Sequence, residues 1–335
     1  MSASSGGSVR VGFLGRVPPP LGGAGLELQM ARTADALERA GHEVVQVEEA
    51  GPGDGFDLLH AFGSEPANWH HLRHWTRNHA PLVVTSVVVV SPGHTELALW
   101  LSARVPGVMT GARMRRQLLC EADAVVAGTE YERRLLRRGL GVPDERLVVI
   151  GNGADRCEPG PLPDELPDHF ALLAGAVSKR KRQAEVLEAL GDEWPIVVAG
   201  GYAGGVEEQA RWERAVAKSG ARWLGHVGDP ATMAALQRNA IAVVHLSSGE
   251  VQSLSVLEAL AQGTPAVLSD IPSHRELESA FPSHVRVVAG PSEVPQALGT
   301  LDDKVAGEAP AVPGWDDVAA QLTELYRWLL GGPAG

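Results

Sequence analysis

With two cysteines in 335 residues, Cys120 and Cys157, the chain has no disulfide framework, and a reducing cytosol is the expected compartment. Basic residues are outnumbered. The net charge of −12 argues against a nucleic-acid partner, which selects for a basic face. No apolar run is long enough to cross a bilayer. The longest, Leu82 to Val90, covers nine residues including Thr85 and Ser86, against about 20 for a transmembrane helix, and reads as a buried strand. Peripheral contact with a membrane stays open. Met1 to Ser8 is small and polar and lacks the apolar core of a signal peptide, so no targeting segment is expected. Two nucleotide fingerprints are also missing. No G-x-x-x-x-G-K-[ST] occurs, so a P-loop ATPase is not indicated, and Gly22, Gly23 and Gly25 do not supply the dinucleotide spacing G-x-G-x-x-G.

What is present is an ordinary globular composition, 44% hydrophobic and 21% charged, in a chain long enough to split into about two domains. Charge divides unevenly: residues 1–150 hold 15 Arg and 16 acidic residues (−1), and residues 151–335 hold 14 basic and 25 acidic (−11). The near-neutral half is therefore the better side for an anionic or membrane-linked partner. Strands alternate with helices throughout. Val9 to Leu14, His42 to Val47, Leu58 to His60, Leu82 to Val90, Ala124 to Ala127 and Leu147 to Ile150 read as strands in the first half. Leu26, Met30, Thr33, Ala34 and Leu37 recur at helical spacing and Gly41 ends that helix as a left-handed cap. Thr129 and Glu132 have capping-box spacing. After a proline-rich stretch, Pro159 to Pro167, strands recur at Phe170 to Gly175, Pro195 to Ala199, Arg222 to Leu224 and Ile241 to Leu246. Such alternation means parallel sheets covered on both faces. Two doubly wound domains are expected, 1–160 and 161–335, facing across a cleft, with the last helix, Trp315 to Leu330, packing back toward the N-terminal domain.

The most informative stretch is Ser248-Gly249-Glu250, seven further residues, then Glu258-Ala259-Leu260-Ala261-Gln262-Gly263-Thr264-Pro265. It puts two carboxylates at the mouth of a helix that follows an apolar strand. A helix start is an anion site, because its free N–H groups and positive dipole end face outward. Carboxylates beside it suit a ligand with both phosphate and hydroxyl groups, and a sugar nucleotide is such a ligand. Ser178-Lys179-Arg180-Lys181-Arg182 adds a cationic run at another strand's carboxyl end, inside an acidic half. Gly22 and Gly23 would let backbone approach a phosphate, and they equally read as a tight strand-to-helix turn.

Together these pieces resemble the retaining glycosyltransferases of family 4, which have the GT-B fold and use nucleoside-diphosphate sugars. The likeness runs from Val9 to about Leu330. It includes Gly22-Gly23 with Glu27, Gly41-His42-Glu43-Val44, Asp57-Leu58-Leu59-His60, Ala122 to Thr129, Val149 to Asp155, Trp223 to Val227 and the Glu250–Glu258 segment. The resemblance implies metal-independent transfer of a hexose-like sugar to the hydroxyl of a small molecule or glycan, with the first domain on the acceptor side and the second binding the donor. No Asp-x-Asp occurs, which disfavours the metal-chelating transferases of the other common fold. The implied donor contacts are Gly22, Gly23, Arg180, Lys181, His226, Val227, Glu250, Ser253, Leu254 and Glu258. Lys181 aligns with the family's phosphate lysine, Glu250 with the acid that holds sugar hydroxyls, and Glu258 with the one that holds the ribose. His226 and Val227 would flank the base through backbone groups.

This chain departs from the family at three places. The companion arginine falls on Ala176, with Arg180 or Lys179 as stand-ins; a common glycine is Ser253; and the acceptor-side histidine position, after Val83 to Val88, is apolar. His94 and His60 are the candidates to replace that histidine, with His94 the expected catalytic member beside Glu250 and Lys181. His70, His71, His74 and His79 could suggest zinc, but no cysteine or H-E-x-x-H acid lies among them, so no metal and no cofactor are expected. Two other classes of function stay open: a catalytically silent sugar-nucleotide-binding or partner subunit, and a sugar-nucleotide epimerase.

Overall fold

The computed structural model describes residues 7–15, 25–47, 55–64, 81–89, 96–301 and 309–331. The chain forms two compact units, Met1–Gly153 with Pro313–Gly335, and Ala154–Val312. The break thus falls after Gly153 where the sequence pointed to residue 160, and the C-terminal residues belong to the first unit. Each unit holds one six-stranded, wholly parallel sheet among the described residues.

In the first unit the strands are β1 (Arg10–Leu14), β2 (Glu43–Gln46), β3 (Leu58–Phe62), β4 (Leu82–Thr85), β5 (Ala124–Ala127) and β6 (Leu147–Val149), ordered β2-β1-β3-β4-β5-β6. Helix α1 (Gly25–Arg39) buries Met30, Thr33, Ala34 and Leu37, and Gly41 leaves it with φ +89°, as the helical spacing and the glycine predict. Two short helices, α2 (Glu96–Ser102) and α3 (Gly111–Glu121), separate β4 from β5, and α4 (Glu130–Arg134) follows β5.

The expected long strand 82–90 stops at Thr85. Ser86 is fully buried, and Val87 has φ +45°, a left-handed conformation that a β-branched residue adopts only when its surroundings impose it. Those surroundings are Glu132, whose carboxylate accepts bonds from Ser86 Oγ (2.8 Å), Val88 N (2.6 Å) and Gly128 N (2.7 Å). Burial pushes this carboxyl up and the three donors pull it down, with burial the larger effect. The capping box at Thr129 is consequently half made. Thr129 Oγ1 accepts from Glu132 N (3.1 Å), while the Glu132 side chain is engaged by Ser86, Val88 and Gly128.

The last helix, here numbered α11 (Trp315–Leu329), packs on α1 within the first unit. Three contacts tie it there. Arg39 pairs with Asp316 (2.7 Å), His42 Nε2 meets Thr323 Oγ1 (2.9 Å), and His60 Nδ1 meets Tyr326 OH (2.6 Å). Val9 N donates to His42 Nδ1 (3.1 Å), so the His42 proton sits on Nε2 and is donated to Thr323.

The second unit has β7 (Phe170–Ala174), β8 (Ile196–Ala199), β9 (Arg222–Trp223), β10 (Ala240–His245), β11 (Ala266–Ser269) and β12 (Val285–Val288). Their order is β12-β11-β10-β7-β8-β9. Alternate residues of β7 serve opposite faces: Ala171 and Leu173 join Val198, Trp212 and Val244, while Phe170 and Leu172 join Val197, Leu236 and Val243. Both faces are therefore apolar, which is why these strands read as unbroken hydrophobic runs. The helices covering them are α5 (Gln183–Leu190), α6 (Val206–Ser219), α7 (Pro230–Asn239), α8 (Leu254–Ala261), α9 (Pro272–Ala280) and α10 (Val294–Leu301). Strand order reverses between β7 and β10, because β8 and β9 extend the sheet one way and β11 and β12 the other. In open sheets of this kind the reversal leaves a crevice outside the carboxyl ends of the two central strands, and ligands bind there.

Candidate functional site

The loops leaving β7 and β10 carry the charged residues of the second unit's switch point. After Ala174 the chain turns through Gly175 at φ +109°. A 3₁₀ turn, Lys179–Lys181, and a left-handed Arg182 at φ +55° then lead into α5. This path carries the Lys181 side chain back over the turn: a β-carbon on Gly175 would lie 2.5 Å from Lys181 Nζ. The backbone angle favours glycine there, and a β-carbon would in addition push the ammonium from its place. Gly200 at the end of β8 is required for a related reason, since a β-carbon there would be 1.9 Å from the Gly175 carbonyl oxygen.

Arg180 reaches the other loop. Its Nη1 donates to Glu250 Oε1 (2.5 Å), to the Gly249 carbonyl (2.7 Å) and to Ser247 Oγ (3.3 Å), and its own carbonyl accepts from Ser248 N (2.8 Å). One residue thus fastens the β7 loop to the β10 loop at the mouth of the crevice. Glu250 also lies 3.3 Å from His245 Nε2, and its backbone carbonyl accepts from Ser273 Oγ (2.9 Å). Burial opposes ionisation of this carboxyl. The bond from His245 and the charges of Arg180 and Lys181 outweigh burial and hold it at about 2. Lys181 is pushed down by burial, with Glu250 raising it and Arg180 lowering it. An anionic carboxylate, a guanidinium and a half-buried ammonium therefore share one corner.

Helix α8 opens beside them. Ser253 caps it in an extended conformation (φ −84°, ψ 117°), with no side-chain cap bond. Any L-residue adopts that φ, so serine replaces the family's glycine at no backbone cost. Ser253 Oγ lies 3.1 Å from Ser255 Oγ, and Ser255 Oγ lies 3.4 Å from the carbonyl oxygen of Ala174. The first turn of α8 thus abuts the end of β7, with its leading N–H groups free of intrahelical partners as at every helix start. Glu258 is half-buried in the second turn, four residues beyond Leu254 and so on the same helix face. His226 follows β9 after Gly225 (φ +71°), exposed and packed against Gly201 at the end of β8. Val227 is partly buried and packs against the apolar cluster that holds Phe170, Leu172 and Leu236.

The structure therefore gathers Arg180, Lys181, Glu250, Ser253 and Leu254 at the ends of β7 and β10, and puts His226 and Val227 farther along the same sheet edge. Ala176 is exposed, and the guanidinium at Glu250 comes from Arg180; Lys179 instead pairs with Glu208 (3.5 Å). His60 calls for a correction. It is buried in the first unit, stacked on Phe62, with Tyr326 OH on Nδ1 and Thr85 Oγ1 (2.8 Å) on Nε2. Both ring nitrogens are engaged by internal hydrogen bonds, so neither is turned toward an acceptor in this structure. Gly22, Gly23, His94 and the histidines at 70, 71, 74 and 79 lie outside the described residues. Among the described residues, no group of three or more His, Cys, Asp or Glu side chains could hold a metal ion, and no helix is long and apolar enough to cross a membrane.

Sequence reasoning missed His245 and His274. Both are buried, with ring centroids 5.8 Å apart, and His274 Nδ1 donates to the Ser269 carbonyl (2.9 Å). A histidine closing an otherwise apolar strand, five residues before Glu250, was the available signal.

Residues 161–292 match the family model described as glycosyl transferases group 1, and residues 46–153 match a glycosyl transferase 4-like domain. No curated protein matches the sequence. Among solved structures, a sucrose-phosphate synthase from Thermosynechococcus elongatus superposes with a TM-score of 0.72 at 16% identity, covering 96% of this chain and 99% of that one. The Anabaena protein HepE, crystallised with UDP and glucose, gives 0.67 at 16%, covering 95% and 99%. A glycosyltransferase involved in avilamycin A biosynthesis gives 0.60 at 19%, covering 97% and 99%. At these identities the likeness is one of fold, and the fold is GT-B: two Rossmann-like units.

Proposed function

The chain is a glycosyltransferase of the family-4 kind, and from that premise we propose that it moves a hexose-type sugar from a nucleoside diphosphate to an acceptor hydroxyl, with the anomeric configuration retained and without a divalent metal or other cofactor. One observation carries the reading: Arg180, Lys181, Glu250 and the start of α8 converge at the strand-order reversal of the unit that matches the group 1 model. A HepE structure holding UDP-glucose supports the same ligand class.

In this reading the diphosphate lies against the N-terminus of α8 and the Lys181 ammonium. As the bond from the sugar C1 to the diphosphate oxygen breaks, its electron pair stays on the diphosphate, the acceptor hydroxyl oxygen bonds C1 on the same face, and the hydroxyl proton passes to the departing diphosphate. The growing negative charge is met by groups already in position, which is where fixed electrostatics lower a barrier most. Glu250, held ionised to about 2, serves as a permanent acceptor for sugar hydroxyls. Glu258 takes the ribose hydroxyls, and the backbone at His226 and Val227 flanks the base.

The test is incubation with UDP-, GDP- and dTDP-glucose, following nucleotide release with and without EDTA, and the anomeric configuration of any product by NMR. Nucleotide release that EDTA leaves unchanged, with a retained anomer, is expected. An inverted product, or loss of turnover with EDTA restored by a metal, would overturn those parts. Binding without turnover would favour the silent subunit, and a new stereoisomer still on the nucleotide would favour the epimerase. A second expectation concerns Gly175→Ala. Moving the Lys181 ammonium by about 1 Å should lower turnover on the order of 100-fold. A Gly175→Ala protein as active as wild type would show that Lys181 works from elsewhere.

A further inference from the structure

Glu250 is addressed by two donors, and both choose the same oxygen. Arg180 Nη1 is 2.5 Å from Oε1 and His245 Nε2 is 3.3 Å from Oε1. Among the described residues, Oε2 takes no hydrogen bond, and the side chain keeps 12% exposure. We propose that His245 is a positioning residue: its neutral ring, with Arg180, turns the Glu250 carboxylate so that Oε2 is reserved for one hydroxyl of the donor sugar. This rests on the transferase reading above.

The chemistry follows from the partner. A carboxylate only accepts, so the His245 proton must sit on Nε2. The ring is buried at the end of β10, between the crevice and His274, and burial keeps it below its ordinary value, hence uncharged at neutral pH. A charged ring would add a third cation to Arg180 and Lys181. A neutral one contributes direction alone. His274 is braced in turn, because its Nδ1 donates to the carbonyl of Ser269, whose hydroxyl donates to the carbonyl of Ser247 (2.5 Å) in the β10 loop. This bracing joins β10, β11 and α9 behind the carboxylate.

Two measurements test it. Ring nitrogen NMR on histidine-labelled protein at pH 7 should show His245 neutral with its proton on Nε2. A charged ring, or a proton on Nδ1, overturns the inference whatever the donor. The second uses UDP-glucose and its 2-, 3-, 4- and 6-deoxy analogues. Wild type should disfavour one analogue by about tenfold to a hundredfold, as expected for a hydroxyl bound to a charged acceptor. In His245→Leu that ratio should fall toward one while UDP affinity, measured by calorimetry, is unchanged. His245→Gln, whose amide can donate, should restore much of it. A purely structural role would weaken UDP and all five donors together. If His245→Leu binds UDP normally and keeps full discrimination, this inference fails and the transferase reading stands. If wild type releases nucleotide from none of the UDP-, GDP- and dTDP-glucose donors, the reading fails and takes this inference with it; if it uses GDP or dTDP, the deoxy series is read on that nucleotide.

Discussion

A Lys181→Ala protein should turn over its nucleotide sugar about 100- to 1,000-fold more slowly than wild type while remaining folded. The expectation comes from position and charge. Lys181 Nζ lies over Gly175 at the end of β7, 2.5 Å from where a β-carbon would stand, and the first turn of α8 abuts the same strand end through Ser255. In the proposed reaction the diphosphate gains charge at that corner. Losing one fixed donor to a developing oxyanion costs about 3–4 kcal/mol, which corresponds to that loss in rate. Burial pushes Lys181 down and Glu250 pulls it up, so the ammonium belongs to a local charge balance as well as to the ligand. Lys181→Arg should not restore the rate. A guanidinium is a planar fork on a different stem, and it does not put a compact point charge where the Lys181 ammonium lies. Steady-state nucleotide release beside a thermal unfolding curve decides the matter. A Lys181→Ala enzyme within a few-fold of wild type would remove the lysine from the reaction.

The second large effect concerns stability and lies in the first unit. Burial holds His60 at about 3, against an ordinary value of 6.5. The folded ring refuses a proton that the unfolded chain accepts, so stability is full above pH 6.5 and is lost as pH falls from there through about 3. The difference, 6.5 less about 3, is worth on the order of 5 kcal/mol at about 1.4 kcal/mol per unit. His60 cannot take the proton cheaply, because Thr85 and Tyr326 occupy its nitrogens and the Tyr326 hydroxyl, raised well above its ordinary value by burial, stays neutral. His274, held at about 4, adds a similar trend to the second unit, so total acid sensitivity does not isolate His60. The measurement is the pH slope of urea unfolding in wild type and in His60→Gln. Wild type should be steeper below pH 6 by about one proton. Equal slopes would mean that His60 is solvated, contrary to its place between β3 and α11.

Much of this was legible from residue order alone. Unbroken apolar runs mark the strands because a parallel sheet buries both faces, and Gly41 marks a helix end because few other residues take its backbone angle. The Glu250–Glu258 spacing was legible too, since a strand, a loop and a helix start are contiguous. Other features were hidden for a common reason. Leu82 to Val90 looks like one strand until Glu132, more than forty residues on, claims the backbone at Val88. The motif offered Arg180 and Lys179 as equals for the missing cation, and the path of the 3₁₀ turn toward Gly249 separates them.

His60 shows the limit most plainly. At a strand's end it reads as an acceptor-side candidate; a tyrosine 266 residues later holds one of its ring nitrogens. Residue order settled the architecture and the family, because these depend on short-range periodicity and on local turns. Which side chains meet, which nitrogen carries a proton and where the final helix docks depended on contacts between distant segments. Those contacts arise only when burial brings the segments together and pays the cost of ordering them.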